Sequence, residues 1–275
     1  MIVQIYEIQT PNEAEQCIEL CVDHIGSVLL SKEEWQNTSL KEVMRVCEDA
    51  GVKSSMIPLF NDRKVLYQAI DFYHPDYIHF CDSLVHSSGG AKSLAPAVDL
   101  QVDIKNRYPE IGIIRSLPFP SGGARVRLPW MEIAKRLETL TDIFLADTWI
   151  GKDPVDGYIG ITGEPSDWQE VGSLCLDSRI PVILAGGLSP ENVYEALEKA
   201  FPWGADSCTG TNATDASGRP IRFRKDFRKV AEFVNEVRRF EHALCLKQEE
   251  MVSRNSLNPR KAHWPSTETT AEENE

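Results

Sequence analysis

The sequence lacks the features that mark several large classes of protein. No apolar run reaches the roughly 18 residues of a membrane-spanning helix, and the N-terminal MIVQIYEIQT has no basic segment followed by a small-residue cleavage site. We therefore expect a cytoplasmic protein with no signal peptide and no membrane partner. The first apolar run leads into YEIQTPNEA and carries no GxGxxG, so the fingerprint of a dinucleotide-binding sheet is also missing.

Cysteine pairs and excess basic charge are missing too. The seven cysteines are odd in number and include no CxxC, which fits neither a disulfide framework nor a zinc ribbon. The 29 basic residues stand against 42 acidic ones, for a net charge of −13, so we expect no nucleic-acid partner. No metal and no organic cofactor is predicted. A small anionic ligand remains compatible with this charge, because backbone N–H groups can bind phosphate inside an acidic protein.

Short apolar runs alternate with helical segments along most of the chain. This alternation predicts a single α/β domain, a (β/α)8 TIM barrel, over residues 1–245. An open doubly wound sheet is the alternative. The last predicted helix ends at Phe240, and residues 246–275, which are polar and contain proline, are interpreted as a flexible C-terminal tail. The eight predicted strands are 2–7, 24–30, 54–60, 76–82, 111–119, 142–147, 181–187 and 204–210.

Glycine-bearing turns follow the last three predicted strands. AGGLSPENV contains Gly186 and Gly187, and GADSCTGTN contains Thr209 and Gly210, where a short extra helix can present N–H groups. Loops after strands seven and eight form the recurrent phosphate site of TIM barrels. The turn IGITGEP, with Gly163, follows strand six and is placed to close over the same anion. Each turn alone is also compatible with an ordinary tight turn, but together they predict a phosphorylated small-molecule ligand.

Two charged residues are predicted at strand ends. Asp147 ends strand six, where a carboxylate can act as an acid or a base, although it is also compatible with a helix cap. Arg115 is placed at the end of strand five, as a ligand for a second anion or as a partner of Asp147. His79 and Cys81 share one face of strand four, but no third ligand lies nearby, so they predict no metal site.

These motifs resemble the phosphoribosylanthranilate isomerase family. The similarity is strongest in PVILAGGLSPENV, GADSCTG, FLADT and GITGEPSDW, and residues 3–14 align on the family's first strand and turn. The resemblance implies a phosphate-binding barrel of tryptophan biosynthesis, a monomer or homodimer. Its members open an N-linked ribose phosphate and convert it from aldose to ketose, an Amadori rearrangement.

The resemblance also implies roles for individual residues. Asp147 occupies the position of the general acid, and Asp206 matches an aspartate near the anthranilate part of the site. The positions implied for the phosphate are Gly163, Gly186, Gly187, Thr209 and Gly210.

The first strand departs from the family's pattern. The family reads roughly V-K-I-C-G, with the cysteine as general base. This chain has Tyr6 in place of the cysteine, and Gln4 and Glu7 in place of the lysine and the glycine. Tyrosine has an ordinary pKa of about 10, against about 8.5 for cysteine, so Tyr6 is a weaker candidate for a base. None of the seven cysteines is near enough in sequence to be an obvious substitute. Tyr6 and Glu7 are the candidate replacements, although neighbours on a strand face opposite sides.

Three functions are compatible with this departure. The first is the family's isomerisation, with Asp147 and an altered base. The second is a divergent barrel that acts on another phosphorylated ligand. The third is a non-catalytic binding protein in which Tyr6 blocks the site. An open cavity between the glycine turns and Asp147 would favour the first two.

Overall fold

Eight parallel strands pair in chain order and close into a barrel in the computed structural model, which describes residues 1–151 and 155–256. Strand β1 pairs with both β2 and β8, so the predicted TIM barrel is confirmed and the open sheet is excluded. The strands are Ile2–Ile5 (β1), His24–Leu29 (β2), Lys53–Pro58 (β3), Tyr77–Phe80 (β4), Gly112–Pro120 (β5), Ile143–Trp149 (β6), Val182–Leu184 (β7) and Gly204–Ser207 (β8).

Each barrel strand is followed by an α-helix in the described part of the chain. The sequence places caps where helices begin and end: Thr10 and Glu13 form a capping box on the first helix, and Gly51 ends the second with a φ of 70°. None of the described helices is long and apolar enough to cross a membrane. The helices are Pro11–Glu19 (α1), Thr38–Ala50 (α2), Arg63–Tyr73 (α3), Ala95–Arg107 (α4), Trp130–Leu137 (α5), Trp168–Asp177 (α6), Val193–Ala200 (α7) and Phe227–Ser256 (α8).

Helix α8 is longer than the sequence analysis indicated. We expected its end at Phe240 and a flexible tail from residue 246, but the helix continues to Ser256. Residues 246–256 contain neither glycine nor proline, and their Glu, Lys, Gln, Met and Arg residues favour helix. The rest of the predicted tail, residues 257–275, lies outside the described residues.

A β-hairpin that we did not predict lies between β8 and α8. Asn212–Thr214 (β9) pairs antiparallel with Pro220–Lys225 (β10), and the 3-10 helix Thr209–Thr211 precedes it. The Asp215 carboxylate closes the turn by accepting a hydrogen bond from the Arg219 amide at 3.0 Å. The 3-10 helix confirms the short extra helix expected after strand eight, while the polar hairpin carries too weak an apolar alternation to be read as strands.

The ring of Tyr6 crosses the barrel interior. It passes so close to Gly26 that a Cβ at position 26 would overlap its ring atoms. Its hydroxyl accepts a hydrogen bond from Ser55 Oγ at 2.8 Å and lies 2.7 Å from Nδ1 of His79. The other ring nitrogen of His79 lies 2.7 Å from Ser116 Oγ. Tyr6 therefore joins four strands across the barrel, and it forms the floor beneath the strand ends.

This packing predicts that Gly26 and Tyr6 are energetically coupled. Gly26→Ala should lower the free energy of unfolding by about 1–3 kcal/mol, because the added methyl group overpacks against the ring. In a Tyr6→Ala background the same substitution should cost much less. Urea unfolding of the four proteins of this double-mutant cycle measures the coupling. Equal costs of Gly26→Ala in both backgrounds would contradict the contact.

Candidate active site

Two adjoining depressions open at the carboxyl ends of the barrel strands. The first, here the central cavity, has a volume of about 50 Å³ and lies above Tyr6. The second, here the glycine cleft, lies beside it at the ends of β7 and β8. Four residues line both: Asp147, Ile161, Asp206 and Cys208. The two depressions are therefore neighbouring parts of one site, at the end of the barrel where such folds carry function.

The glycine cleft brings the predicted glycine turns together. Its lining includes Gly163, Gly186, Gly187, Thr209 and Gly210. Three of these glycines are required by close contacts, because a Cβ at position 186, 187 or 210 would overlap Thr148, the Glu164–Pro165 backbone or the Leu188 carbonyl, respectively. Gly186 and Gly187 also have φ values of 82° and 57°, which favour glycine. The connections after β6, β7 and β8 can therefore approach one another with little side-chain bulk between them.

Asp147 lies on β6 at the boundary between the cavity and the cleft. Its Oδ1 accepts a hydrogen bond from the Thr148 amide at 2.8 Å. The loop after β6 folds over its other oxygen at Gly160, where a Cβ would overlap Oδ2. Burial raises the pKa of Asp147 to about 6, although the Thr148 amide acts in the opposite direction. Asp147 is thus a carboxyl group that can carry a proton close to neutral pH.

Arg115 lies away from both Asp147 and the glycine cleft. It sits within β5, not at its end, and 1% of the residue is exposed. Its guanidinium binds the carboxylate of Asp82 through both Nη atoms, with Nη2 at 3.2 Å from Oδ2. The pairing with Asp147 is wrong, because Arg115 pairs with Asp82. Its side chain lines a cavity bordered by α3 and α4, which shares Cys81 and Tyr158 with the central cavity.

Tyr6 and Glu7 are both held in structural contacts. Burial raises the pKa of Tyr6 well above 10, and its hydroxyl is engaged by Ser55 and His79. Glu7, with a φ of 64°, turns its carboxylate to the β9–β10 hairpin. The carboxylate accepts hydrogen bonds from Asn212 Nδ2 at 2.8 Å, from the Phe223 amide at 3.1 Å and from Arg222 Nε at 2.8 Å. Burial alone would raise the pKa of Glu7, but these donors hold it below its ordinary value.

Asp206 points into the barrel from β8, where 6% of the residue is exposed. Its Oδ1 accepts a hydrogen bond from Gln4 Nε2 at 3.1 Å. The Gln4 amide oxygen in turn lies 3.3 Å from Nδ1 of His24. Burial, together with the nearby Asp147 carboxylate, raises the pKa of Asp206 to about 7, against the lowering effect of Gln4. The site therefore contains two carboxyl groups that titrate close to neutral pH.

The structure adds cavity residues that the sequence analysis did not single out. Cys208 is one of them. It was missed because Tyr6 and Cys208 are far apart in the sequence and become neighbours only through the pairing of Ile5 with Ser207 across β1 and β8. The register of β1 with β8 is the signal that would have identified Cys208. Other lining residues of this kind are Tyr158 and Arg222. No group of three or more His, Cys, Asp or Glu side chains converges as a metal site in residues 1–151 and 155–256.

Comparisons with known proteins agree with this geometry. The family described as N-(5'phosphoribosyl)anthranilate (PRA) isomerase matches residues 119–236. The N-(5'-phosphoribosyl)anthranilate isomerase of Methanocella arvoryzae is 36% identical over 140 residues, which cover 51% of this chain and 57% of that protein. The chain is similar to the phosphoribosylanthranilate isomerase family over residues 119–236, somewhat less than half of its length. It spans a little over half the length of this curated relative.

Solved structures of the family share the barrel. A phosphoribosylanthranilate isomerase in complex with reduced 1-(o-carboxyphenylamino)-1-deoxyribulose 5-phosphate superposes with a TM-score of 0.61 at 18% identity, covering 86% of this chain and 99% of that one. Monomers made from the dimeric isomerase of Thermotoga maritima superpose with a TM-score of 0.60 at 18% identity, with coverages of 86% and 99%. At these identities the likeness is one of fold.

The contacts of Glu7 predict a pH-dependent contribution to stability. Because its pKa is lowered in the fold, the contribution is present above the unfolded-state pKa of about 4.3 and is lost as the pH falls through the folded-state value. Glu7→Gln should therefore lower the free energy of unfolding by about 1–3 kcal/mol at pH 7, and by less at pH 3. Urea unfolding at the two pH values measures this difference.

Glu232 provides a matched control, since it is half-exposed and faces Arg228 at 3.9 Å on the helix surface. Glu232→Gln should change stability by no more than about 0.5 kcal/mol at either pH. A Glu7→Gln cost as small as this control would show that the carboxylate does not anchor the hairpin.

Proposed function

We propose that this protein is an aldose–ketose isomerase that carries out an Amadori rearrangement of a phosphorylated ribose linked to an aromatic amine, phosphoribosylanthranilate being the first candidate. The observation that carries the proposal is the position of Asp147, a carboxyl group with a pKa of about 6 between the central cavity and the glycine cleft. The similarity of residues 119–236 to the phosphoribosylanthranilate isomerase family supports it. So does the phosphorylated compound bound to the relative whose barrel superposes on this one.

The phosphate group would bind in the glycine cleft. No lysine or arginine is among the cleft-lining residues in the described part of the chain, so backbone N–H groups would supply the hydrogen bonds. The 3-10 helix Thr209–Thr211 starts at the cleft, and the first amides of such a helix have no partner within it. Such a site tolerates the net negative charge of the protein, because the N–H dipoles act locally.

Asp147 would act as the general acid. With a pKa of about 6, roughly a tenth of these carboxyl groups carry a proton at pH 7, and exclusion of water by a bound ligand raises that share. The proton would pass to the ring oxygen of the ribose as the bond from that oxygen to the first carbon breaks. This is the protonation that ring opening requires, and it uses the carboxyl oxygen nearest Gly160.

Because the cavity and the cleft are continuous, we favour a ligand-binding site and not a barrel in which Tyr6 blocks the site. The side chain of Tyr6 forms the floor of the cavity and leaves Asp147 and Asp206 accessible from it. A cavity of about 50 Å³ is nevertheless smaller than the roughly 300 Å³ or more of ordinary ligand pockets. The connection after β6, which contributes Tyr158 and Ile159 to the cavity wall, would therefore have to move for a substrate to enter. This narrowness also favours the second candidate, a different phosphorylated ligand.

The isomerase assay tests the proposal directly. Loss of phosphoribosylanthranilate fluorescence should follow addition of the wild-type protein, and Asp147→Asn should lower kcat/KM by at least about 100-fold, because the amide cannot donate an acid proton to the ring oxygen. Asp177→Asn, at the exposed end of α6, is the matched control and should leave the rate unchanged. Absence of turnover by folded wild-type protein would reject this substrate in favour of another phosphorylated ligand.

The glycine cleft makes a separate prediction about phosphate. Gly187→Ala should weaken the binding of inorganic phosphate by at least about 10-fold, because the residue has a φ of 57° and the new methyl group would overlap the Glu164–Pro165 backbone. Gly122→Ala is the control, since a Cβ there meets no atom within 4 Å. Calorimetric titration with phosphate measures both variants. An unchanged affinity in a folded Gly187→Ala protein would place the anion elsewhere.

A further inference from the structure

The proposed isomerisation needs a base that removes the proton from the second carbon of the sugar. Several titratable side chains around the central cavity are already committed to other contacts. The Tyr6 hydroxyl and both ring nitrogens of His79 lie in the buried network beneath the cavity. Glu7 is bound by Arg222 and Asn212. Burial raises the pKa of Tyr158 to about 12, so its phenol stays protonated at neutral pH.

The carboxylate of Asp206 is placed differently. One of its oxygens is fixed by Gln4, and within the described chain its second oxygen accepts no hydrogen bond. Asp147 has the same arrangement, with Oδ1 on the Thr148 amide and the other oxygen without a donor. Both residues line the cavity as well as the cleft. Each carboxyl group thus has one oxygen without a hydrogen-bond donor among the described residues, and both groups line the same space.

We propose that Asp206 is the general base of the reaction and works with Asp147 as a pair of carboxyl groups in one cavity; this assignment rests on the proposed function. The hydrogen-bond chain behind Asp206 supports it. Burial lowers the pKa of His24 to about 4, so its imidazole is neutral. A proton on Nδ1 directs that nitrogen to the Gln4 oxygen, and the Gln4 amide then offers its N–H to Asp206. A donor at this position favours the ionised carboxylate that a base must be, although burial and the Asp147 charge outweigh it and raise the pKa of Asp206 to about 7, which lies close to the pH at which a base would work.

The charge of the pair supports a division into acid and base. Two carboxylates that share a cavity disfavour double ionisation, and the charge of Asp147 contributes to the raised pKa of Asp206. Lys225 of β10 also acts on Asp206, and the ion pair of Glu7 with Arg222 lines the same cavity. Lys225 favours ionisation of Asp206. One protonated and one ionised carboxyl group is the state that the reaction requires at its start.

The proton transfers balance over the whole reaction. Asp147 gives its proton to the ring oxygen as the ring bond at the first carbon breaks, and the nitrogen lone pair forms a carbon–nitrogen double bond. Asp206 then takes the proton from the second carbon. The freed electron pair forms a double bond between the first and second carbons, and the former π pair returns to nitrogen. The hydroxyl of this enol gives its proton to Asp147 while Asp206 returns its proton to the first carbon, which leaves a ketone and both groups restored.

The test compares Asp206→Asn, Asp206→Glu and Cys208→Ala with the wild type in the isomerase assay. Asp206→Asn should lower kcat by at least about 1,000-fold, while inorganic phosphate should bind the glycine cleft at least as tightly as in the wild type, because the substitution removes a negative charge from the cleft lining. In the residual activity, the limb of the pH profile that rises with base ionisation should disappear, and deuterium at the second carbon should slow the reaction more than in the wild type. Asp206→Glu, which keeps a carboxylate, should be at least about 10-fold more active than Asp206→Asn.

The outcomes separate the two levels of the argument. If the folded wild type does not convert phosphoribosylanthranilate, the proposed function fails and takes this assignment with it. If the wild type is active and Asp206→Asn keeps its kcat, only the assignment of the base is overturned. Equal losses in Asp206→Asn and Asp206→Glu would also overturn it, as would a loss confined to Cys208→Ala, which would transfer the role to the thiol. Asp177→Asn again serves as the surface control.

Discussion

The pairing of β1 with β8 is the contact on which the rest of the site depends. It joins the two ends of the barrel, with Ile2 to Ile5 opposite Gly204 to Ser207, and it brings together residues about 200 positions apart in the chain. Gln4 reaches Asp206 across this seam, and Tyr6 comes to lie beside Cys208. Without it the barrel would stay open, and the two carboxyl groups would face water and return to their ordinary pKa values.

Tyr6 and Glu7, the two first-strand residues that the resemblance marks as unusual, are both held by the structure around them. Tyr6 fills the space that Gly26 leaves and ties β1 to β3 and β4 through hydrogen bonds. Glu7 binds the β9–β10 hairpin, whose Arg222 lies at the edge of the cavity. Both side chains are committed to packing and anchoring. The side chains that remain to act as acid and base are those that face the cavity from β6 and β8.

Periodicity and glycine made most of the barrel predictable from sequence. Short apolar runs located every barrel strand to within a few residues, and the glycine turns after strands six to eight converge on one cleft. What was missed depends on contacts between distant segments. The partner of Arg115 is Asp82, 33 positions away, and no local pattern selects it over Asp147. Cys208 and Gln4 acquire their neighbours only from the register of β1 with β8, and the hairpin is held by Glu7, more than 200 positions earlier.

The contact between Tyr6 and Gly26 has a consequence for how this chain can evolve. A cysteine at position 6 would vacate the volume of the ring and leave Ser55 and His79 without their shared partner, so this substitution alone would lower the stability of the fold. A larger residue at position 26 would overlap the ring of Tyr6 and would also lower stability. The two positions are thus epistatic: the effect of a substitution at one of them depends on the residue at the other. Sequence change at position 6 is therefore coupled to sequence change at position 26.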